Sequence, residues 1–224
     1  MSGHTAAQTT AQADAHYMDR ALILARGVLG AVAPNPAVGC VIVRDGVIVG
    51  EGATAPGGRP HAEELALEAA GDQARGAQVY VSLEPCAVRT AGGDACADRL
   101  VAAGVARVVV ACSDPHPFAD GDGIARLQAA GVAVKVGERR REAEALNAGF
   151  FLVVRESRPF VAIDPSPESY DVDFDVPADA NLLAELRRLA AQGVTRVRVG
   201  PDSPLVALLR AADLVDLEPD AARS

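Results

Sequence analysis

Three soft metal donors and one spare carboxylate, arranged as His61-Ala62-Glu63, Glu84-Pro85-Cys86 and Cys96, constrain this chain more than any other feature of it. One His nitrogen and two Cys sulfurs suit zinc, which takes such donors in a tetrahedral array and keeps a fourth position open when the site is catalytic. Any fold the chain adopts must bring these stretches to one point. Residues two apart on a regular helix point to different faces, so with His61 turned to a metal at a helix entrance, Glu63 is left off the ion and can lean over the open position. Cys86 follows a Pro suited to the first turn of a helix, and a helix N-terminus there would favour the thiolate that metals require.

Each fragment alone is weak, because His-x-Glu occurs by chance in many helices and an isolated Cys is usually a small buried hydrophobe. The ordered set is specific. It matches zinc deaminase chemistry, in which the metal activates a water and a Glu that is not a ligand moves protons. The expectation is one Zn2+ on His61, Cys86 and Cys96, with Glu63 as the proton shuttle. Nine residues separate Cys86 from Cys96 where many nucleobase deaminases have two, which predicts a longer loop over the site. Cys40 and Cys112 fall within and at the end of strands and read as packed core thiols. Ligation by either would close the metal shell and make the site structural.

A chain of 224 residues that is 50% hydrophobic can bury a real core. Its four Cys are too few for a disulfide framework, and Met1 to Ala13 has no apolar run of signal-peptide type, so a reduced, cytoplasmic protein is expected. A net charge of -9 argues against a polyanion partner, since nucleic-acid affinity comes largely from Lys and Arg neutralising phosphates. The expected partner is a small aminated heterocycle, with no nucleic acid and no membrane.

Residues 1–13 read as a disordered tail, with order beginning near Asp14. Tyr17, Ala21, Leu22, Ala25, Val28 and Leu29 then fall at helical spacing, stopped by Gly30 and Pro34. Val38 to Val43 is an apolar strand, and Asp45-Gly46 marks a hairpin to Val47–Val49. A helix from His61 to Ala70 follows a Gly/Pro loop. The strand Gln78 to Leu83 then delivers Pro85-Cys86 at its carboxyl end, where open α/β sheets place their ligands. The alternation continues with helix 95–103, strand 107–112, helix 123–130, strand 132–136 and helix 138–148. That pattern predicts an α/β fold, a three-layer sandwich with a mixed sheet.

Several stretches carry a family resemblance: Pro34-Asn35-Pro36-Ala37-Val38-Gly39-Cys40-Val41-Ile42-Val43, Pro60-His61-Ala62-Glu63, Leu83-Glu84-Pro85-Cys86, Ala103-Gly104-Val105-Ala106-Arg107-Val108-Val109 and Leu146-Asn147-Ala148-Gly149-Phe150-Phe151. From about Met18 to Phe160 the chain resembles the deaminase half of the bifunctional riboflavin-biosynthesis deaminase-reductase family. The resemblance implies the cytidine-deaminase-like α/β/α sandwich, one zinc per chain, and hydrolytic removal of an amino group from a phosphoribosylated diaminopyrimidinone. By carry-over His61, Cys86 and Cys96 are the ligands and Glu63 the proton shuttle, while Asn35 and Asp114 stand where the family contacts substrate. Departures gather around the substrate. Thr54 replaces the family's loop His, Ala87-Val88 replaces Ser-His, and His116 replaces the Asn of Asp-Pro-Asn-Pro, while Arg89 remains able to hold a phosphate. Exchanging several hydrogen-bonding groups predicts a changed substrate, not merely a weaker one.

Beyond Phe160 the composition shifts. Asp164 to Asp179 holds six acidic residues, no basic ones and three Pro, and residues 161–180 read as an acidic linker between a deaminase domain at 14–160 and a small α/β appendage at 181–224. The appendage, with a helix at 181–193, a strand at 194–199 and a helix at 205–212, resembles the last part of the family's reductase. Gly200-Pro201 stands where the family has Glu-Gly-Gly, and some 45 residues cannot carry a glycine-rich phosphate turn with its sheet, so a truncated remnant without its dinucleotide is expected. The functional expectation is a zinc-dependent hydrolytic deaminase of specialised metabolism with a diverged substrate, forming a homodimer or higher homo-oligomer. Two alternatives stay open: an ordinary riboflavin-pathway deaminase whose reductase is another chain, and a non-catalytic, zinc-stabilised accessory protein.

Overall fold

A run of helix formers opens the chain. The computed structural model describes residues 3–89, 92–116 and 121–217, with side chains from Thr10 onward. Helix α1 spans Gly3–Arg26, so the segment expected as a tail is helical from Gly3. Ala6, Ala7, Gln8, Ala11, Gln12 and Ala13 are good helix formers and extend the helix upstream of its apolar stripe. Contacts divide the chain into two units. The first holds residues 1–27, 37–55 and 59–146, and the second holds 28–36, 56–58 and 147–224.

In the first unit a five-stranded sheet is ordered β2-β1-β3-β4-β5, from strands β1 (Gly39–Arg44), β2 (Val47–Ala53), β3 (Gln78–Val81), β4 (Arg107–Val110) and β5 (Ala133–Val136). β1 pairs antiparallel with both β2 and β3, whereas β3, β4 and β5 run parallel, giving the mixed sheet that the alternation predicts. The β1–β2 turn at Asp45-Gly46 has φ of 52° and 79°, the left-handed pair that Asp-Gly favours in a two-residue hairpin.

Helices α1 and α5 (Arg140–Leu146) contact each other, and α1 packs across β1, β2 and β3. On the other face α2 (Ala62–Ala70) packs on β1 and β2 and touches α3 (Cys96–Ala103), which in turn touches α4 (Asp122–Ala129). Alternation along the strands serves both faces. Cys40, Ile42, Val79, Val81, Val108 and Val110 share the α2 side, while Tyr80 and Val109 share the α1 side, and all of them are buried. The approach of α2 to β2 leaves no room for a side chain at Gly52, where a Cβ would overlap the carbonyl oxygen of Ala62. That approach sets the height at which α2 begins, and its N-cap is His61.

Asp14 fastens α1 beneath the sheet. Its side chain is 2% exposed and takes Arg107 Nη1 at 2.7 Å, Lys135 Nζ at 2.8 Å and the Tyr80 hydroxyl at 3.1 Å, reaching β3, β4 and β5 at once. Burial alone would raise the pKa of its carboxyl, but hydrogen bonds and charge from Arg107 and Lys135 outweigh burial and hold it at about 2.

The second unit contains α6 (Ala148–Glu156), β6 (Phe160–Ile163), β7 (Val172–Asp173), α7 (Leu182–Ala191), β8 (Arg196–Val199) and α8 (Leu205–Ala211). Its parallel three-stranded sheet is ordered β6-β8-β7 and its core holds Val161, Ile163, Phe174, Leu186, Val197, Val199, Leu205 and Leu209. The segment expected as a solvated linker at 161–180 therefore contributes two of the three strands. Three of its acidic side chains take donors from the fold. Asp171 Oδ2 accepts from Thr195 N, Thr195 Oγ1 and Arg196 N at 2.7, 2.9 and 2.9 Å, Asp173 pairs with Arg198 Nε at 2.6 Å, and Asp164 accepts the Tyr170 hydroxyl at 2.7 Å. Composition alone misleads here because the partners of Asp171 and Asp173 lie some 25 residues downstream.

Candidate active site

The three expected donors converge. His61 Nδ1 lies 3.8 Å from Cys86 Sγ and 3.3 Å from Cys96 Sγ, and all three donor atoms fall within 4.8 Å of one another. Tetrahedral zinc with Zn–N near 2.0–2.1 Å and Zn–S near 2.3 Å requires about 3.5 Å between nitrogen and sulfur and about 3.8 Å between sulfurs. The observed spacing fits that ion, and so does the mixed nitrogen and sulfur donor set. Cys40 and Cys112 are outside the cluster and buried, with Cys112 Sγ on the Ser82 carbonyl at 3.5 Å, which is the role of packed core thiols.

Each donor has its own support. His61 sits where the chain turns from extended backbone into α2. Cys86 is in irregular chain after β3, not in the helix turn that Pro85 suggested; the helix N-terminus belongs to Cys96, the first residue of α3. Cys96 donates its backbone N–H to Cys86 Sγ at 3.3 Å, and Ala97 N–H reaches the Cys86 carbonyl at 3.1 Å. The thiolate at Cys86 is thus stabilised by the start of a different helix. The hydrogen bond from the Cys96 thiol and the neighbouring His61 hold the Cys86 thiol well below its usual pKa against burial, while the same bond and burial push the Cys96 thiol up.

Glu63, one residue into α2, is 3% exposed. Burial pushes its carboxyl up to about 7, and the Cys96 thiol hydrogen-bonds to it. It is beside the donor set without belonging to it. A carboxyl poised near neutrality suits a group that accepts and returns a proton within one turnover.

The residues expected against substrate are held by different partners. Asp114 and His116 share a turn beyond β4, with Asp114 Oδ1 accepting the His116 N–H at 2.9 Å. Thr54 is buried, and its hydroxyl accepts the Val38 N–H at 3.0 Å, so this side chain helps hold the end of the β1–β2 ladder. Arg89 grips Glu64 with both terminal nitrogens, Nη1 to Oε1 at 3.0 Å and Nη2 to Oε2 at 2.6 Å, instead of standing open for a phosphate. Asn35 belongs to the second unit, where Nδ2 donates to the Val32 carbonyl at 3.2 Å. Ala87 is buried, whereas Val88 is 58% exposed.

Two supporting residues escaped the sequence reading. Glu84 is 4% exposed, and its carboxylate accepts N–H groups of Gly121, Gly123 and Ile124 at 3.3, 3.1 and 3.2 Å, capping α4. A backbone hydrogen bond from Asp114 reaches the same carboxylate. Glu64 accepts the His61 N–H at 2.9 Å from the third position of its helix. The three-residue step from N-cap to Glu is the capping-box spacing, a signal present in the sequence but hidden because the cap is a His.

Comparison with known proteins agrees with this geometry. The family described as the cytidine and deoxycytidylate deaminase zinc-binding region matches residues 11–112. The Riboflavin biosynthesis protein RibD of Escherichia coli is 49% identical over 150 residues, which is 67% of this chain and 41% of that protein. The Diaminohydroxyphosphoribosylamino-pyrimidine deaminase of Buchnera aphidicola is 41% identical over 146 residues, 65% of this chain and 99% of that protein. Among solved structures, RibD of Acinetobacter baumannii superposes with a TM-score of 0.77 at 26% identity, covering 92% of this chain and 86% of that one. The chain spans about two fifths of the length of the RibD proteins it matches.

Proposed function

The chain belongs to the riboflavin-biosynthesis deaminase family, and we propose that it is a zinc-dependent hydrolytic deaminase that removes an amino group as ammonia from an aminopyrimidine of the kind named for its Buchnera relative. The observation that carries this reading is Glu63, a buried carboxyl next to the three donors yet outside their set. A purely structural zinc site has no use for such a group, which weighs against a non-catalytic accessory role.

When bound, zinc supplies the Lewis acidity that makes a water nucleophilic at neutral pH. Glu63 accepts a proton from the attacking water at a carboxylate oxygen and returns it to the departing ammonia, so the carboxylate is regenerated. His61, Cys86 and Cys96 fix the centre around which substrate is oriented, and the turn at Asp114–His116 follows the strand next to the one that leads to Cys86.

A second reading keeps the chemistry and changes the heterocycle. It is favoured by the Thr54 hydroxyl being bonded to Val38 and by Ala87-Val88 next to Cys86, which offer no polar side chain. Ammonia release measured with the riboflavin-pathway diaminopyrimidine, other aminopyrimidines and aminopurines decides between them. The highest kcat/KM on the pathway compound supports the first reading, and a clear preference for another heterocycle supports the second.

The stretch at 181–224 is read as a reductase-like piece that makes no use of a dinucleotide, because Pro201 has no N–H to offer an anion. Titration with NADPH by calorimetry tests this, and micromolar binding overturns it. A homo-oligomer is proposed for solution, with light scattering as its measurement.

A further inference from the structure

The donors arrive from three stretches of chain, and one side chain touches all three. Glu64 Oε2 accepts the His61 N–H at 2.9 Å and Arg89 Nη2 at 2.6 Å, while Oε1 takes Arg89 Nη1 at 3.0 Å and Arg99 Nη2 at 3.3 Å. Arg89 is three residues past Cys86, and Arg99 is three residues past Cys96. Both arginines also donate to the carbonyl of Asp94, two residues before Cys96, at 3.2 Å each. The side chains of Glu64 and Arg89 are only 14% and 8% exposed, so their two-pronged contact lies largely out of water. Two-pronged arginine–carboxylate contacts fix geometry as well as charge. Arg89 Nε is buried with no hydrogen-bond partner among the described residues, so the fork on Glu64 is the guanidinium's main anchor there.

Resting on the reading of His61, Cys86 and Cys96 as a zinc site, we propose that Glu64 and Arg89 are positioning residues. Their ion pair fastens the chain just after Cys86 to the start of α2, and with Arg99 and the Asp94 carbonyl it ties in the chain around Cys96, so that the three donors are preorganised. A longer loop between two ligands costs more entropy to hold closed, and such contacts offset that cost. Neither residue is required to touch substrate for this role.

The test compares wild type with Arg89→Gln, Arg89→Lys, Glu64→Gln and the Glu64→Gln/Arg89→Gln double variant, each stripped of metal and titrated with Zn2+ against a competing chelator and with Co2+ by visible absorption. Partners of metal ligands typically matter by 10- to 100-fold in affinity, so Arg89→Gln is expected to weaken Zn2+ by about that factor and to shift the Co2+ ligand-field bands. Arg89→Lys, which keeps the charge and loses the fork, is expected to fall in between. The double variant is expected to be no weaker than the weaker single one, because the two residues act as a unit. Should Arg89→Gln fail to fold, the Lys variant carries the measurement. Zn2+ affinity and Co2+ bands within twofold of wild type in the folded Arg89 variants would overturn the proposal. Failure of wild type itself to bind one metal per chain is a separate outcome, which overturns the zinc reading beneath it.

Discussion

Glu84 and Gly123 meet where β3 runs out: the carboxylate accepts the Gly123 N–H at 3.1 Å, and a Cβ on Gly123 would overlap the carbonyl oxygen of Pro85. Glu84 and Pro85, the two residues before Cys86, are therefore both held against the first turn of α4. Gly123→Ala is expected to destabilise the protein by about 1–3 kcal/mol, the usual cost of overpacking a close contact, because both clashing groups are constrained by backbone. It is also expected to lower zinc content by displacing Cys86. Urea unfolding together with metal analysis checks this, and normal values for both would show that the turn yields without moving the ligand.

Replacing Glu63 by Gln preserves shape and removes the proton carrier. The variant is expected to retain one zinc and the wild-type circular dichroism while losing about 10² to 10⁴ in kcat, the usual worth of a positioned acid–base group. Full activity in Glu63→Gln would remove this residue from the mechanism.

Removal of the metal is expected to abolish ammonia release and to lower the thermal midpoint. A ligand present at about 1,000 times its Kd stabilises the folded state by about 4 kcal/mol, which sets the scale of the loss. Added Zn2+ is expected to restore both properties. A chelated enzyme that still turns over would contradict the assignment of His61, Cys86 and Cys96.

Asp14 predicts a specific acid sensitivity. Its folded-state value of about 2 lies below the ordinary 3.8, so its stabilisation is complete above about pH 4 and disappears as pH falls through 2. The window holds about 2 kcal/mol. Unfolding of zinc-free wild type and Asp14→Asn at pH 4, 3 and 2 is expected to show their difference shrinking as pH falls; a constant difference would mean that charge on Asp14 is not what holds α1 to the sheet.

Asp171 predicts a local effect. Asp171→Ala leaves the N–H groups of Thr195 and Arg196 without their acceptor, and each buried unpaired group costs about 1–3 kcal/mol. Faster amide hydrogen exchange is expected in β8, with exchange in β1 and β3 unaltered. Uniform acceleration across both sheets would show that the effect of Asp171 is not local to β8.

The sequence by itself determined the donor set, the spare carboxylate, the mixed sheet and most element positions in the first unit. These follow from local rules: residue chemistry at His61, Cys86 and Cys96, the continuous apolar runs of β1, β3 and β4, and the Asp-Gly turn. It did not determine which helix serves Cys86, because the N–H that supports this sulfur comes from Cys96, across a loop whose path no local rule fixes. Nor did it reveal that Arg89 is taken up by Glu64, 25 residues earlier, or that the acidic run near Asp171 feeds the backbone of β8. Charge read along a chain looks solvated until its partner is known. Only the tertiary structure supplies that partner, because the free energy of a buried ion pair or cap depends on distances between residues far apart in sequence.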